Sequence, residues 1–483
     1  MLKLFLKPLV CARMVRDACL AGSLLTTSAS RDPLVLRKCA ALSRRIRAGV
    51  PKRQHLYFCL AVLGFFLAQK SYASCEVNVI GHVNTANSFS RHTTSFIECL
   101  HPDVNIKLFK TYKGSPQGFP SYFEKVLDNG FKLHDQKAIS EFIKQKTSLK
   151  GITIYGDSVL WDGWQRYNVL PNNSAVKFAY CVTERTLVKK RGSIVERWVT
   201  KLNKHFDALL VPDEWLIETF KNVGIEIPIF VLPMALGLHS LLSRPIKKAP
   251  GKPFFFGFSG GCWPHKNHKL LIQAFAEEFG NDDRVVLKIH SRYPADFWKI
   301  VEDCKSTKAK NITLEQKSLT REEYEDFIAS LHCYVTVSKG EGFSIIPREA
   351  LAAGVPCIVS NNTAQTTICN SGCVYSVPAN IIESSTWVLS NQSVGFDYNC
   401  SISDVKKALR TVYENYEQYR EFALQGREWV QQYLPENLKQ KYKALVSPDT
   451  VVLGDRNEIT PERVITNSKK LFEKYKRLCG LKI

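Results

Sequence analysis

Residues 76–446 predict an α/β fold with two domains, each built around a parallel sheet. A chain of 483 residues is too long for a single hydrophobic core, so more than one domain is expected. Apolar runs alternate with helical periodicity, which is typical of parallel strands joined by crossover helices. This alternation stops at the Pro- and Lys-rich segment 242–253 and then restarts. We therefore expect two open sheets that face each other across a cleft, with ligands at the carboxyl ends of the strands.

The first predicted domain spans residues 76–235 and the second spans residues 236–420. Strands of the first are expected at EVNVIG (76–81), ITIYG (152–156), KFAYCVT (177–183), DALLVP (207–212) and IFVLP (229–233). The second is expected to have strands at FFFGFSG (254–260), VVLKIH (285–290), CYVTVS (333–338) and PCIVSN (356–361), and a helix from about Asn267 to Phe279. A helix over 421–447 would cross back to the first domain. Residues 448–483 read as a basic, amphipathic tail.

The basic charge of the chain is concentrated at its amino end. Residues 1–75 contain 13 Lys and Arg but only two Asp, and so carry about half of the formal net charge of +21. The remaining surplus suits small anionic molecules or anionic lipid heads. Zinc-finger spacing, an RNA-recognition signature and a basic helix with interleaved aromatic residues are all missing from the sequence, so no nucleic-acid partner is expected.

An apolar segment follows this basic leader. Residues 1–55 form the leader, of uncertain status, and residues 56–74 contain an apolar run of 13 residues, short for a membrane span. Three interpretations remain open: a secretory signal behind a start site placed too early, an organelle-type leader, or an uncleaved membrane-associating segment. We expect a cytoplasmic protein, at the membrane face if the tail or the leader attaches to lipid. The alternative is export, or entry into a lumen, through residues 56–73.

The 15 cysteines are scattered without a CxxC pair. An odd number at irregular spacing indicates reduced, buried thiols in a reducing compartment. The pattern therefore predicts neither a disulfide framework nor a zinc site.

Two glutamates mark the candidate site, in KGEGFSIIPREALAAGVPCIVSN (339–361). Glu341 lies on the loop after the strand CYVTVS, and a helix is expected to begin near Pro347, which would place Glu349 in its first turn. The free N–H groups and positive dipole of such a helix start attract phosphate. Carboxylates beside a phosphate site suit sugar hydroxyls, which they can accept in pairs. Phosphate between hydroxyl groups describes a nucleotide sugar, although Glu349 could instead only complement the helix dipole.

The segment EGFSIIPREALAAGVPCIVSN is similar to the E-x7-E motif of GT-B glycosyltransferases, especially the retaining sugar-nucleotide transferases of family 4. The segment FFFGFSGGCWPHKNHKLLIQAF resembles that family's strand, loop and helix with a phosphate-binding lysine, here Lys266. Motif order, motif spacing and the duplicated α/β layout agree over roughly residues 76–446. The resemblance implies the GT-B fold, two Rossmann-like domains, and a metal-independent hexosyl or related glycosyltransferase. No tightly bound cofactor is expected, only a UDP-, GDP- or ADP-sugar as co-substrate.

The resemblance also implies roles for the residues of the two motifs. Glu349 would bind the ribose hydroxyls of the donor. Glu341 would contact the transferred sugar near its 3-hydroxyl and stabilise developing positive charge, as the catalytic residue. The backbone from Gly342 through Phe343 and Ser344 would lie along the diphosphate, and Lys266 would neutralise the leaving nucleoside diphosphate.

One cation of the family pattern is missing. The family places an arginine five residues before the lysine, where this chain has Gly261. Arg292, after the strand VVLKIH, is the candidate substitute because it too would follow a strand end, and Lys339 is another candidate. Each can equally be read as an ordinary surface cation.

Candidates from the first domain are weaker. Asn84 lies in the loop after the first strand, Asp157 precedes aromatic residues in YGDSVLWDGW, and Glu184 follows the strand KFAYCVT. Amide and carboxyl groups there could hold phosphate or an acceptor sugar. Packing within loop or core is the competing interpretation for each of them.

The leading hypothesis is a retaining glycosyltransferase that uses a glycan, lipid or protein acceptor. The alternative, motivated by Gly261, is a catalytically silent GT-B module that binds a nucleotide sugar or glycan. A glycoside hydrolase is rejected because one of its two carboxyl groups would lie in a helix turn beside a phosphate site instead of flanking a glycosidic bond.

Overall fold

The computed structural model describes residues 76–83, 88–111, 130–156, 168–246, 252–292, 297–387 and 391–446. These residues all belong to one compact unit of the chain. The predicted leader 1–55, the apolar segment 56–74 and the tail 448–483 lie outside the described residues, as do Asn84 and Asp157.

The first sheet has seven parallel strands. The strands up to residue 231 are β1 (Val77–Gly81), β2 (Ile106–Lys110), β3 (Phe131–Lys132), β4 (Ile152–Tyr155), β5 (Val176–Tyr180), β6 (Thr186–Leu187), β7 (Ala208–Val211) and β8 (Ile229–Val231). All except β6 join this sheet, in the order β3-β2-β1-β4-β5-β7-β8. Its central strands are buried along their length, because helices cover both faces of a parallel sheet. The five strands predicted here are present, whereas β2 and β3 were not predicted.

The second sheet has six parallel strands. The strands after residue 253 are β9 (Phe254–Ser259), β10 (Val285–Ser291), β11 (Ile312–Gln316), β12 (Cys333–Thr336), β13 (Cys357–Asn361), β14 (Tyr375–Pro378), β15 (Ile381–Thr386) and β16 (Ser393–Asn399). The sheet order is β11-β10-β9-β12-β13-β14. From β9 the strands are added outwards through β10 to β11, and from β12 they are added outwards on the other side through β13 to β14. The loops after β9 and β12 therefore border a crevice at the carboxyl edge of the sheet.

Helices cover the two sheets. Those up to residue 243 are α1 (Ser88–Leu100), α2 (Gln136–Lys144), α3 (Ile194–His205), α4 (Trp215–Asn222) and α5 (His239–Ser243). Those after residue 260 are α6 (His268–Phe279), α7 (Phe297–Thr307), α8 (Arg321–Ser330), α9 (Ile345–Ala352), α10 (Gln365–Cys369), α11 (Ile402–Glu414), α12 (Tyr416–Trp429) and α13 (Pro435–Val446). None of the described helices is long and apolar enough to cross a membrane.

A small third sheet connects the two domains. The antiparallel hairpin of β15 and β16 leaves the second domain and pairs through β16 with β6 of the first. The backbone N–H of Val188 donates to the carbonyl of Val394 at 2.8 Å, and the Trp198 and Trp387 rings meet edge to face at 4.9 Å. This sheet was not predicted from the sequence.

The last described helix returns to the first domain. Helix α13 packs along α1, where the rings of Tyr442 and Phe96 lie 5.0 Å apart. The hydroxyl of Tyr442 donates to the carbonyl of Pro233 at 2.9 Å. Lys439 and Lys443 both reach the Asp103 carboxylate, at 2.8 and 2.6 Å. The carboxyl-terminal helices therefore tie the second domain back onto the first.

Candidate functional site

Lys266 and Glu341 meet at the carboxyl edge of the second sheet. Lys266 ends a 3₁₀ turn, Pro264–Lys266, after β9, and Glu341 lies on the loop after β12. The Lys266 Nζ lies 2.6 Å from Glu341 Oε1, and both side chains are mostly buried. A charge-assisted contact of this length holds both groups at one point of the crevice. The structure therefore brings together the predicted phosphate-binding cation and the predicted catalytic carboxylate.

Three non-glycine residues around this pair have left-handed backbone conformations. Their φ angles are 61° at Asn267, 59° at Ser344 and 44° at Thr363. Such conformations are costly for residues with a Cβ, and persist only where the surroundings hold them. At Thr363 the support is a pair of hydrogen bonds: the Glu341 N–H donates to the Thr363 hydroxyl at 2.8 Å, and the Ala364 N–H donates to the Glu341 carbonyl at 3.2 Å. The Glu341 loop is thus fixed before any substrate arrives.

The helix after Glu341 begins earlier than the sequence predicts. Helix α9 starts at Ile345, so Pro347 is its third residue, not its first, and Glu349 lies in the second turn, not the first. The left-handed Ser344 turns the chain into the helix before the proline is reached. Pro347 is tolerated because N–H groups of the first turn have no partner within the helix. The Ser344 side chain makes no capping hydrogen bond, and Gly342, Phe343 and Ser344 lead directly into this helix start.

Two partners that the sequence did not reveal bind the Glu349 carboxylate. Arg321 Nη1 donates to Glu349 Oε1 at 3.2 Å, and the Tyr324 hydroxyl donates to Oε2 at 2.6 Å. Arg321 also donates to Glu325 Oε1 at 2.5 Å and to the carbonyl of Gly237 at 3.1 Å. Each carboxylate oxygen has about two acceptor positions, so one on each oxygen remains for a ligand hydroxyl. Arg321 and Tyr324 therefore orient Glu349 without using up its capacity.

Gly261 and Arg292 lie on neighbouring loops. The Gly260 N–H donates to the His290 carbonyl at 3.1 Å, and Cys262 Sγ lies 3.4 Å from Ser291 Oγ. The Gly261 loop thus runs beside the end of β10, where Arg292 follows at once. Lys339, in contrast, forms an ion pair with Glu383 of the hairpin.

A loop of the first domain lies directly on the Glu341 loop. A Cβ added to Gly340 would stand 1.9 Å from the carbonyl oxygen of Glu184, and one added to Gly342 would stand 2.0 Å from Val182 Cγ1. Only glycine permits such close approach at these two positions. Glu184, predicted as a weak candidate, is therefore at the donor loop, with its carboxylate 40% exposed.

A buried ion pair joins the domains below this contact. Arg348 of α9 is fully buried, and its Nη2 lies 3.7 Å from Asp213 Oδ2 after β7. The Arg348 guanidinium also donates to the carbonyls of Phe343 and Ser344 and lies 4.1 Å from the centre of the Phe343 ring. Burial raises the pKa of Asp213 to about 6, although the Arg348 charge opposes that shift. Arg348 thus couples the domain interface to the backbone expected along the diphosphate.

Two buried histidines flank Lys266. Burial, reinforced by the Lys266 ammonium, lowers the pKa of both His265 and His268 to about 3. The His268 ring packs edge-on to Phe258 at 4.6 Å. His265 instead faces the first domain, with Nε2 at 3.7 Å from Glu184 Oε1. His265 was not among the predicted site residues, because its only signal in the sequence is its place beside the lysine.

The described residues contain no group of three or more His, Cys, Asp or Glu side chains placed to hold a metal ion. The nine cysteines in the described ranges are free thiols, and most of them are buried.

A family model described as "Glycosyl transferases group 1" matches residues 241–429. These residues include Lys266, Glu341 and Glu349. No curated protein sequence matches the chain significantly.

Solved structures share the fold. Sucrose-phosphate synthase from Thermosynechococcus elongatus is 14% identical, with a TM-score of 0.55 over 77% of this chain and 98% of that one. Anabaena Alr3699/HepE in complex with UDP and glucose is 10% identical, with a TM-score of 0.55 over 77% and 99%. TarM is 16% identical, with a TM-score of 0.50 over 64% of this chain, and the match spans only 57% of TarM. The predicted GT-B fold is confirmed.

Proposed function

We propose that this chain, whose residues 241–429 match the group 1 glycosyltransferase family, transfers a sugar from a nucleotide-sugar donor to a glycan or lipid acceptor with retention of anomeric configuration. The contact between Lys266 and Glu341 supports this most directly. A cation for a leaving diphosphate and a carboxylate for a sugar lie 2.6 Å apart beside a helix start. That combination suits cleavage of a bond between a sugar and a diphosphate.

Each donor group has a partner in this proposal. The diphosphate lies along Gly342, Phe343 and Ser344, where the N–H groups at the start of α9 and the Lys266 ammonium stabilise the charge that develops on the leaving group. The ribose hydroxyls bind Glu349, which Arg321 and Tyr324 hold in place. Glu341 faces the transferred sugar and stabilises positive charge at its anomeric carbon. In this scheme lysine and helix start do the work that a divalent ion does in other transferases.

Gly261 occupies the position where the family has an arginine, and Arg292 is our proposed replacement for that arginine. Its loop adjoins the Gly261 loop through the contacts of His290 and Ser291. A guanidinium on this loop would supply the second positive charge for the diphosphate. The competing proposal is a silent module that binds a nucleotide sugar, which Gly261 alone favours. Retention of Lys266, Glu341 and Glu349 together favours the enzyme.

Donor hydrolysis tests the proposal. The full chain is incubated with UDP-, GDP- and ADP-linked glucose, galactose, mannose and N-acetylglucosamine, with and without EDTA, and release of nucleoside diphosphate is measured. We expect release from one donor, unchanged by EDTA. Binding of a donor without release, even when glycan and lipid acceptors are added, would favour the silent module. Absence of both binding and release would refute the proposed donor site.

Lys266→Ala is expected to weaken binding of the nucleoside diphosphate itself. A charge-assisted contact contributes enough that its loss should raise the Kd about 10- to 100-fold. Titration calorimetry with UDP, GDP and ADP measures the change. Lys269→Ala is the matched control, because Lys269 is exposed three residues later, on helix α6, and the Kd of this variant should stay at the wild-type value. Equal Kd values for wild type and Lys266→Ala would remove Lys266 from the diphosphate site.

A further inference from the structure

His265 has a buried ring nitrogen without a partner at the mouth of the donor site. Within the described residues, its Nε2 accepts or donates no hydrogen bond. The nearest acid is Glu184 of the first domain, whose Oε1 lies 3.7 Å away, too far for a direct hydrogen bond. A buried polar atom left in this state costs free energy, so it is expected to gain a partner when the site is filled.

The 3.7 Å separation of Nε2 and Oε1 would allow one hydroxyl oxygen to bridge the two groups. An oxygen placed off the line that joins Nε2 and Oε1 can lie about 2.8 Å from both. A neutral imidazole with its proton on Nε2 would donate to that oxygen, and the hydroxyl proton would in turn be donated to the carboxylate. The hydrogen-bond donors and acceptors therefore match without any proton transfer.

We propose that Glu184 and His265 together bind one hydroxyl group of the sugar that is transferred. This inference rests on the proposed function and extends it, since it assigns to the donor sugar a pair of residues drawn from both domains. His265 directly precedes Lys266, and Lys266 contacts Glu341, so the pair borders the place where the sugar meets its leaving group. Glu184 thereby serves the donor and not the acceptor.

The charges around the pair favour a hydroxyl over a phosphate. The Glu184 carboxylate would repel a phosphate. Lys266, which follows His265 in the chain, would attract one. Burial and the Lys266 charge hold the pKa of His265 at about 3, so the ring stays neutral at physiological pH. A neutral ring beside a carboxylate would select a sugar that has a hydroxyl at this position. A sugar with a hydrogen there would leave the ring nitrogen and the carboxylate without a hydrogen-bond partner.

The position of the pair links sugar recognition to the contact between the domains. The backbone carbonyl of Glu184 packs against Gly340, and its carboxylate lies 3.8 Å from the Arg185 guanidinium. These two contacts keep Glu184 beside His265. Arg185 in turn donates to the Thr386 carbonyl of the hairpin at 2.9 Å. A hydroxyl bound between Glu184 and His265 would therefore add one more link between the two domains.

The test compares recognition of the sugar with recognition of the nucleotide. For the donor that the hydrolysis panel identifies, kcat/KM is measured in wild type, His265→Phe and His265→Gln, alongside the Kd of the free nucleoside diphosphate. Phenylalanine keeps the ring but removes hydrogen bonding, while the glutamine amide can replace Nε2–H. We expect His265→Phe to lose about 10- to 100-fold in kcat/KM, with the nucleotide Kd within about twofold, and His265→Gln to recover much of the loss.

Donors that lack single hydroxyls identify the group that is bound. One deoxy donor should be a poor substrate for wild type yet be used equally well by wild type and His265→Phe, because both the hydroxyl and its partner are then missing. Glu184→Gln, at a half-exposed position, should show the same selectivity if His265→Phe folds poorly. His268→Phe, at the other buried histidine, should retain the wild-type preference.

Three results would overturn the inference. If His265→Phe keeps the wild-type kcat/KM, the ring has only a packing role. If it weakens nucleotide and nucleotide sugar equally, His265 acts through Lys266. If wild type and His265→Phe discriminate equally against every deoxy donor, an ordered water and not the sugar fills the gap. Failure of the proposed function is separate, because it appears in wild type as an absence of donor binding or of donor cleavage.

Discussion

Glu341→Gln is expected to lower kcat for donor cleavage by about 10²- to 10³-fold, while the nucleoside diphosphate still binds. Loss of one preorganised electrostatic group from a water-poor site typically has an effect of this size. Glutamine keeps the shape, and its amide oxygen still accepts from Lys266, so the loop should not move. Removing the negative charge 2.6 Å from Lys266 leaves that ammonium more attractive to phosphate. The nucleotide Kd should therefore stay constant or fall.

The measurement is single-turnover donor cleavage together with titration of the nucleoside diphosphate. Glu278→Gln is a suitable control because Glu278 is also paired, with Arg410 Nε at 2.6 Å, but lies near the end of α6, at the opposite edge of the sheet. It should retain wild-type kcat. A Glu341→Gln protein with wild-type kcat would show that Glu341 only neutralises Lys266.

The sequence predicted those parts of the fold that depend on local patterns. Buried strands such as β4 and β12 are continuous apolar runs, because both faces of a parallel sheet are covered. Strand β6 has two residues, and its partner β16 lies about 200 residues later, so no local periodicity could reveal the sheet that joins the domains. Short edge strands such as β3 were missed for a related reason.

The residues of the candidate site also fall into two groups, those that local motifs predict and those that only the tertiary structure reveals. Glu341, Glu349 and Lys266 belong to motifs with characteristic spacing, and the strand order brings Glu341 and Lys266 together. The partners of Glu349, Arg321 and Tyr324, occupy the first turn of α8, where polar residues usually face solvent. Their contact with Glu349 depends on how α8 packs against α9, which spacing along the chain does not encode. The earlier start of α9 depends on one left-handed residue, Ser344, a conformation that serine rarely adopts.

The same limit explains why Arg348 was overlooked. Its place between Pro347 and Glu349 gives it the appearance of an ordinary charged residue on a helix. In the folded chain its guanidinium is fully buried between Phe343 and Tyr433, at 4.1 and 4.7 Å from the two ring centres, and beside Asp213 of the other domain. Only the tertiary structure makes it a central residue of the interface.

Arg348→Met is expected to destabilise the protein by about 3–5 kcal/mol, the usual result when one partner of a buried ion pair is removed. Methionine can fill much of the space between the rings, but the Asp213 carboxylate is left buried without its cation. The Phe343 and Ser344 carbonyls also lose their donor, so the nucleotide should bind more weakly. Urea unfolding measures the first effect and calorimetry the second.

The double variant Asp213→Asn/Arg348→Met provides the decisive comparison. Removing the carboxylate as well should recover much of the lost stability, because replacing both members of a buried pair avoids an uncompensated charge. The sign of the pH dependence follows from the raised pKa of Asp213. Because the folded state binds this proton more tightly than the unfolded state, the free energy of unfolding falls as the pH rises through about 6. Arg348→Met should therefore be more destabilised at pH 8 than at pH 5, and the double variant should not share this difference. Equal losses in the single and double variants at both pH values would mean that packing, and not the charge pair, holds the two domains together here.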